Sequence, residues 1–144
     1  MKFICFFLLF LVFLGSCSNE QKENASKKEK KQFEMYEHSE MASMMLYMFD
    51  FNKQLKAEIQ SDKSLSDFPK EFEQISELKM TDGHVKDDFF EQHIASFLNH
   101  QKEIYANPKN RVENFNAMVE SCIACHKVKC TGPIPKIKQL YIAD

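Results

Sequence analysis

Apolar positions in the middle of the chain recur at helical spacing. Between Gln32 and Gln60 there is neither proline nor glycine, and Met41, Met44, Met45, Met48, Leu55 and Ile59 fall along one side of a helical projection. Such a run predicts a helix of about seven or eight turns. "SDKSLSDFP" interrupts it. Phe68, Phe72, Ile75 and Leu78 then resume the rhythm in a short second helix, with Pro69 in its first turn, where a missing N–H costs nothing. "TDG" at 81–83 breaks the pattern again. Phe90, Ile94, Phe97, Leu98, Ile104 and Tyr105 predict a third helix ending near "ANP". Asn107 followed by Pro108 reads as an N-cap and a first helical residue, so a fourth helix begins there. It should carry Val112, Phe115, Met118, Val119 and Cys122 inward, and end past Lys129 through Gly132, Pro133 and Pro135.

No segment alternates with the period of a strand, and valine and threonine are scarce. The expected class is all-α, with four amphipathic helices joined by short connections into a four-helix bundle. No internal repeat is visible.

The chain opens differently. Lys2 precedes an unbroken apolar run from Phe3 to Leu14, followed by small residues and Cys17. A run this short falls below the roughly 20 residues of a spanning helix and matches a secretory signal instead. "LGSC" at 14–17 resembles the lipobox of bacterial lipoproteins. That resemblance implies cleavage before Cys17 and lipidation of Cys17, which would hold the protein to a membrane surface. Residues 18–32, "SNEQKENASKKEKKQ", contain one alanine as their only apolar residue and read as a flexible tether. The expected organisation is therefore a signal at 1–16, a lipidated tether at 17–32 and one folded domain at 33–144, on an exported, membrane-anchored chain.

Charge narrows the partners. Nineteen Lys and Arg oppose 21 Asp and Glu, for a net charge of −2, and removing the signal takes away only Lys2. A nucleic-acid binder would carry a concentrated basic excess, so that class is not expected. Of five cysteines, Cys5 leaves with the signal and Cys17 goes to lipid. Cys122, Cys125 and Cys130 remain, an odd number within nine residues. That is a poor disulfide framework and a plausible site.

"CIACH", residues 122–126, carries the chemistry. C-x-x-C-H is the attachment signature of c-type haem: two thiols on one helical turn form thioethers to the porphyrin, and His126 becomes the proximal iron ligand. Export suits this reading. Zinc is one rival, since Cys122, Cys125, His126 and Cys130 are four ligand types, although structural zinc sites usually draw on two separated knuckles. A redox dithiol is another, but it would expect a βαβ unit nearby.

A four-helix bundle with C-x-x-C-H on its last helix resembles the cytochrome c′ class, including its low-spin relatives. "SEMASMMLYMF" and "CIACHKVKCTGPIPKIKQL" further resemble small exported cytochromes of the Bacteroidetes. Those carry S-E-L-A-x-x-M-x-x-M-Y near the start and C-x-x-C-H-x-x-x-C-P-G-P-I at the end. This chain departs at Met41 for Leu, Phe49 for Tyr and Thr131 for Pro. The likeness covers most of residues 35–142. It implies one covalent haem c and an iron held by His126, with the first helix on the distal side. Cytochromes c′ often pair, so the analogy allows a homodimer, though these residues do not themselves fix the oligomeric state.

The first helix presents four methionines in "MASMMLYM", and a thioether opposite histidine raises a reduction potential. At about 100° per residue, Met41, Met48, Leu55 and Ile59 lie near the centre of the apolar face, Met45 to one side and Met44 to the other. Aligned with the resembling pattern, Met45 takes its first methionine and Met48 its second. Met45 is the candidate distal ligand, with Met48 the second choice, while ordinary core filling explains methionines equally well. Without such a ligand the iron would be five-coordinate and open to a small gas such as nitric oxide. His93 and His100 lie away from the apolar centre of the third helix, and His38 and His84 near helix ends, so all four are expected at the surface. Cys130 is expected as a buried free thiol.

Lys127, Lys129, Lys136 and Lys138 make the end of the chain basic. They can steer an acidic redox partner or simply solvate one end of a bundle. No Ser/His/Asp set, carboxylate pair or phosphate loop points to catalysis. The expected function is electron transfer by a membrane-tethered monohaem cytochrome rather than an enzymatic one. The alternatives are a gas-binding haem protein and a zinc-stapled interaction lipoprotein without haem.

Overall fold

A computed structural model describes residues 37–143, and the signal and tether expected at 1–32 lie outside them. Among the described residues the chain is all-α. Helix α1 spans Glu40–Gln60, α2 Asp88–Ala106 and α3 Arg111–Lys129, with a short α4 at Ile134–Ile137. Single 3₁₀ turns at Pro108–Asn110 and Lys138–Leu140 precede α3 and follow α4. No helix among the described residues is long and apolar enough to cross a membrane.

The expected second helix is a 3₁₀ segment, Lys70–Glu77. Its apolar residues explain the change. Phe72 and Ile75 are spaced by three, the period of a 3₁₀ turn, so the tighter winding keeps both on one side, and Leu78 follows as the extended C-cap residue. Phe72 and Ile75 are fully buried. Phe72 meets Tyr47, Phe51 and Phe68 edge to face and lies tilted against Phe97. This aromatic cluster joins α1 to α2 through the 3₁₀ segment.

Local chemistry starts the long helices. Ser39 is the N-cap of α1, its Oγ accepting from Ala42 N–H at 3.1 Å. Asp87 caps α2, accepting from Phe90 N–H at 2.9 Å. Each satisfies an amide that the helix leaves unpaired. α3 begins at Arg111, after the 3₁₀ turn that Pro108 opens, and Val112 is 37% exposed rather than turned inward. The first turn of α3 meets α2 through Asn114, whose amide donates to Glu103 O at 3.3 Å, and Val112 lies off that side. Phe115, Met118 and Val119 are fully buried, as expected.

Two sets of ties align α1 with α3. At one end, Met41 N–H donates to Lys79 O at 3.0 Å, Lys79 N–H to Glu40 Oε2 at 2.7 Å, and Ser39 Oγ pairs with Thr81 Oγ1 at 2.8 Å. The loop so anchored continues to His84, whose Nε2 lies 3.1 Å from Lys129 O at the end of α3. At the other end, Lys56 Nζ donates to Gln139 O at 2.9 Å and Tyr141 O at 2.5 Å. Tyr141 OH donates to Glu120, while the Asn116 amide donates to Ile142 O and accepts from Ile142 N–H, both at 2.9 Å. The start of α1 therefore lies beside the end of α3, and its last turns beside the middle of α3. The two helices run antiparallel.

Phe72→Ala should lower the unfolding free energy in urea by about 3–5 kcal/mol, the usual cost of emptying a buried aromatic site. A loss below about 1 kcal/mol would show that the 3₁₀ segment is not part of the cooperative core.

Candidate haem-type site

Between α1 and α3 lies a cavity of about 370 Å³. One wall is α1, with Met41, Met45, Met48 and Asn52. The facing wall is α3, with Cys122, Cys125 and His126. Phe90 and Phe97 of α2 close it from a third side, and Met80, Thr81 and His84 of the anchored loop reach its edge. The returning segment adds Pro133, Lys136, Ile137 and Leu140. The two parts of the sequence singled out for chemistry thus face one space.

The spacing of Cys122, Cys125 and His126 works because α3 stays helical through all three, ending only at Lys129. Residues three and four apart share a face. At Cys130 the backbone turns extended, with φ −162° and ψ 103°. That turn brings the Cys130 carbonyl back to the imidazole, 3.1 Å from His126 Nδ1. A carbonyl only accepts, so Nδ1 carries the proton and Nε2 keeps its lone pair. His126 is 7% exposed, and burial lowers its pKa while the bond to Cys130 opposes the shift. The ring is neutral near pH 7, as a metal ligand must be.

The thiols are held protonated. Burial, aided by neighbouring Cys125, pushes the Cys122 thiol up to about 12, and its Sγ lies 3.9 Å from Met118 Sδ. Cys125 is raised by burial and then by Cys130. Cys130 is also raised by burial, but it is an exposed free cysteine rather than a buried one. The reason is the end of the helix: continued winding would have kept the side chain on the packed face, and the extended turn swings it out. Its Sγ remains 3.3 Å from His126 Nδ1. An active dithiol needs a lowered thiol pKa, which this environment does not supply. Nor do any three His, Cys, Asp or Glu side chains among the described residues group closely enough to hold a metal ion.

The candidate distal residues share the cavity wall but differ in setting. Met41 and Met48 are buried, Met45 is half-buried, and Met44 packs against the core without lining the cavity. His93 and His100 stand on a separate groove between α2 and α3, with His93 Nδ1 bonded to Phe89 O at 2.8 Å. His38 is exposed, as expected, while His84 is half-buried, and both line the cavity. Loop residues at such sequence distance leave no periodic signal. Asn52 did leave one, a lone polar residue on the stripe that runs from Met48 to Leu55. Of the lysines, Lys129 pairs with Asp87 at 2.6 Å, which holds the Asp87 carboxyl below its usual range, while Lys136 Nζ stands 4.4 Å from the centre of the Phe49 ring.

Two thiols one turn apart and a buried imidazole whose Nε2 keeps its lone pair fit the donor set of C-x-x-C-H haem attachment, and the facing helix adds thioethers to the opposite wall. No known protein family, curated protein or solved structure matches the chain.

In the unloaded protein at neutral pH, iodoacetamide should alkylate Cys130 well before Cys122, read by mass spectrometry of digested samples over time. Equal rates would mean that the Cys122 thiol is not shielded in the fold.

Proposed function

We propose that the protein is a membrane-tethered monohaem c-type cytochrome that transfers electrons. The observation that carries this reading is the shared cavity, with Cys122, Cys125 and His126 on one wall and Met41, Met45 and Met48 on the other. In this reading the haem is joined to Cys122 and Cys125, and His126 Nε2 is the proximal ligand. The three long helices and the 3₁₀ segment form the bundle around it. Cys17 carries the lipid that anchors the exported chain.

Met45 is the proposed distal ligand. Met45 lines the α1 wall of the cavity whose α3 wall carries Cys125 and His126, which supports this choice. Met48, on the same wall, is the second choice. A thioether opposite imidazole in an apolar cavity favours the reduced iron and supports a raised potential. The lysines near the end of α3 would then face redox partners carrying acidic surfaces, whose approach they speed at low ionic strength. The chain's own part is to bind, orient and desolvate the haem.

The first test is to export the chain in a host with c-haem maturation machinery. Haem that survives denaturation, with a sharp low-spin reduced spectrum, is expected, and Met45→Ala should convert that spectrum to high-spin. Covalent haem that is already high-spin would replace the electron-carrier reading with five-coordinate gas binding. A colourless product, alongside a correctly matured control cytochrome, would end the haem reading.

A further inference from the structure

The cavity lining is unbalanced in charge. The chain as a whole is acidic, with 19 Lys and Arg against 21 Asp and Glu. Yet among the described residues no Asp or Glu lines the cavity, while two lysines, Lys129 and Lys136, do. Lys129 is already neutralised, its Nζ 2.6 Å from Asp87 Oδ2. Lys136 is not. Among the described residues no carboxylate forms an ion pair with it. Its Nζ instead stands 4.4 Å from the centre of the Phe49 ring, which is itself part of the cavity wall. That contact sets the ammonium on the rim, since the lysine and its aromatic seat line the same space. The backbone beneath is fixed: Lys136 N–H donates to Pro133 O at 3.0 Å, and the next residue, Ile137, is buried. Lys136 is exposed, so its head meets both water and the mouth of the cavity.

We propose that the cavity takes a ligand whose apolar body carries an acidic edge, and that Lys136 receives that acid. This assignment rests on the haem reading given above, and within it Lys136 binds a haem propionate. A haem is a flat apolar ring with two carboxylates on one edge, and the lining offers them no other uncommitted lysine. A carboxylate drawn out of water without a partner loses its hydration uncompensated, so it settles where a cation stands. Lys136 exchanges its contact with the Phe49 ring for a charge-assisted hydrogen bond, the stronger of the two. Lys127 and Lys138 do not line the cavity and have no part in this.

The experiment uses the unloaded full chain in detergent, kept reduced, and titrates it with mesoporphyrin IX and with its dimethyl ester. Mesoporphyrin holds no metal and its ethyl groups form no thioethers, so only the fit and the carboxylates are read. Porphyrin fluorescence gives the two affinities, and their ratio is the preference for the free acid. The wild type should prefer the acid. Lys136→Gln should cut that preference by roughly twofold to fivefold, the span of one exposed ion pair. Partition of the ester into detergent is common to all variants and cancels between them. Lys136→Arg, which keeps the charge, should keep the preference, and Lys138→Gln should leave it unchanged. An undiminished preference in a Lys136→Gln chain that keeps its helical circular dichroism overturns the proposal. So does an equal loss in Lys138→Gln, which reduces the effect to net charge, or in Lys136→Arg, which reduces it to packing on Phe49. A wild type that binds neither porphyrin overturns it as well. Each of these outcomes leaves the cytochrome reading standing, because covalent attachment on export is measured separately. A chain that acquires no covalent haem, with the control matured, overturns that reading and the propionate assignment together.

Discussion

A helix that ends must dispose of its last carbonyl groups, and the end of α3 does so with the residues that make the site. Cys130 N–H bonds to His126 O, the Cys130 carbonyl is taken by the His126 ring, and Lys129 O is met by His84. The Lys129 side chain reaches forward to Asp87, whose other carboxylate oxygen caps α2. One helix terminus thus fixes the tautomer of His126, holds the loop at 81–84 beside the cavity and ties α2 to α3. Were α3 to run one turn further, none of these contacts would form.

The cavity survives in a packed protein because its walls are braced beyond it. Phe72, Leu55, Ile104, Phe115 and Met118 are fully buried in the core without lining the cavity. Ile137, Leu140 and Ile142 bring the end of the chain back over α1 and α3, and Lys56 and Asn116 clamp that segment through its backbone. Interiors normally close around voids of this size, since unfilled space forfeits dispersion contacts. A space of about 370 Å³ held open by independent clamps is better suited to receiving a large apolar group than to serving as a core. The same reasoning gives the methionines of α1 two compatible roles, as adaptable wall and as candidate ligands.

Much of the fold was legible locally. Asp87 is a cap by residue type, three of the four expected helices are α-helical, with α1 starting at Glu40 behind its Ser39 cap rather than near Gln32, and the C-x-x-C-H residues share a face because they share a helix. The misses have physical causes. Spacing by threes at Phe72, Ile75 and Leu78 fits both an α-helix and a 3₁₀ turn, and only packing against α1 and α2 selects between them. Cys130 lies outside because α3 ends at Lys129 and the backbone turns extended at the next residue.

Helix periods, caps, and two thiols and an imidazole on one helical face depend on neighbours within a turn or two, and the residues alone carry them. Tertiary structure alone decided which surfaces confront one another. It set α1 antiparallel to α3, brought His84 to Lys129 across 45 residues of chain, and put the methionines of α1 and the C-x-x-C-H residues on the walls of one cavity. Local geometry repeats every 3.6 residues and can be read from spacing. The facing of distant helices is a sum over many weak contacts, and no single residue announces it.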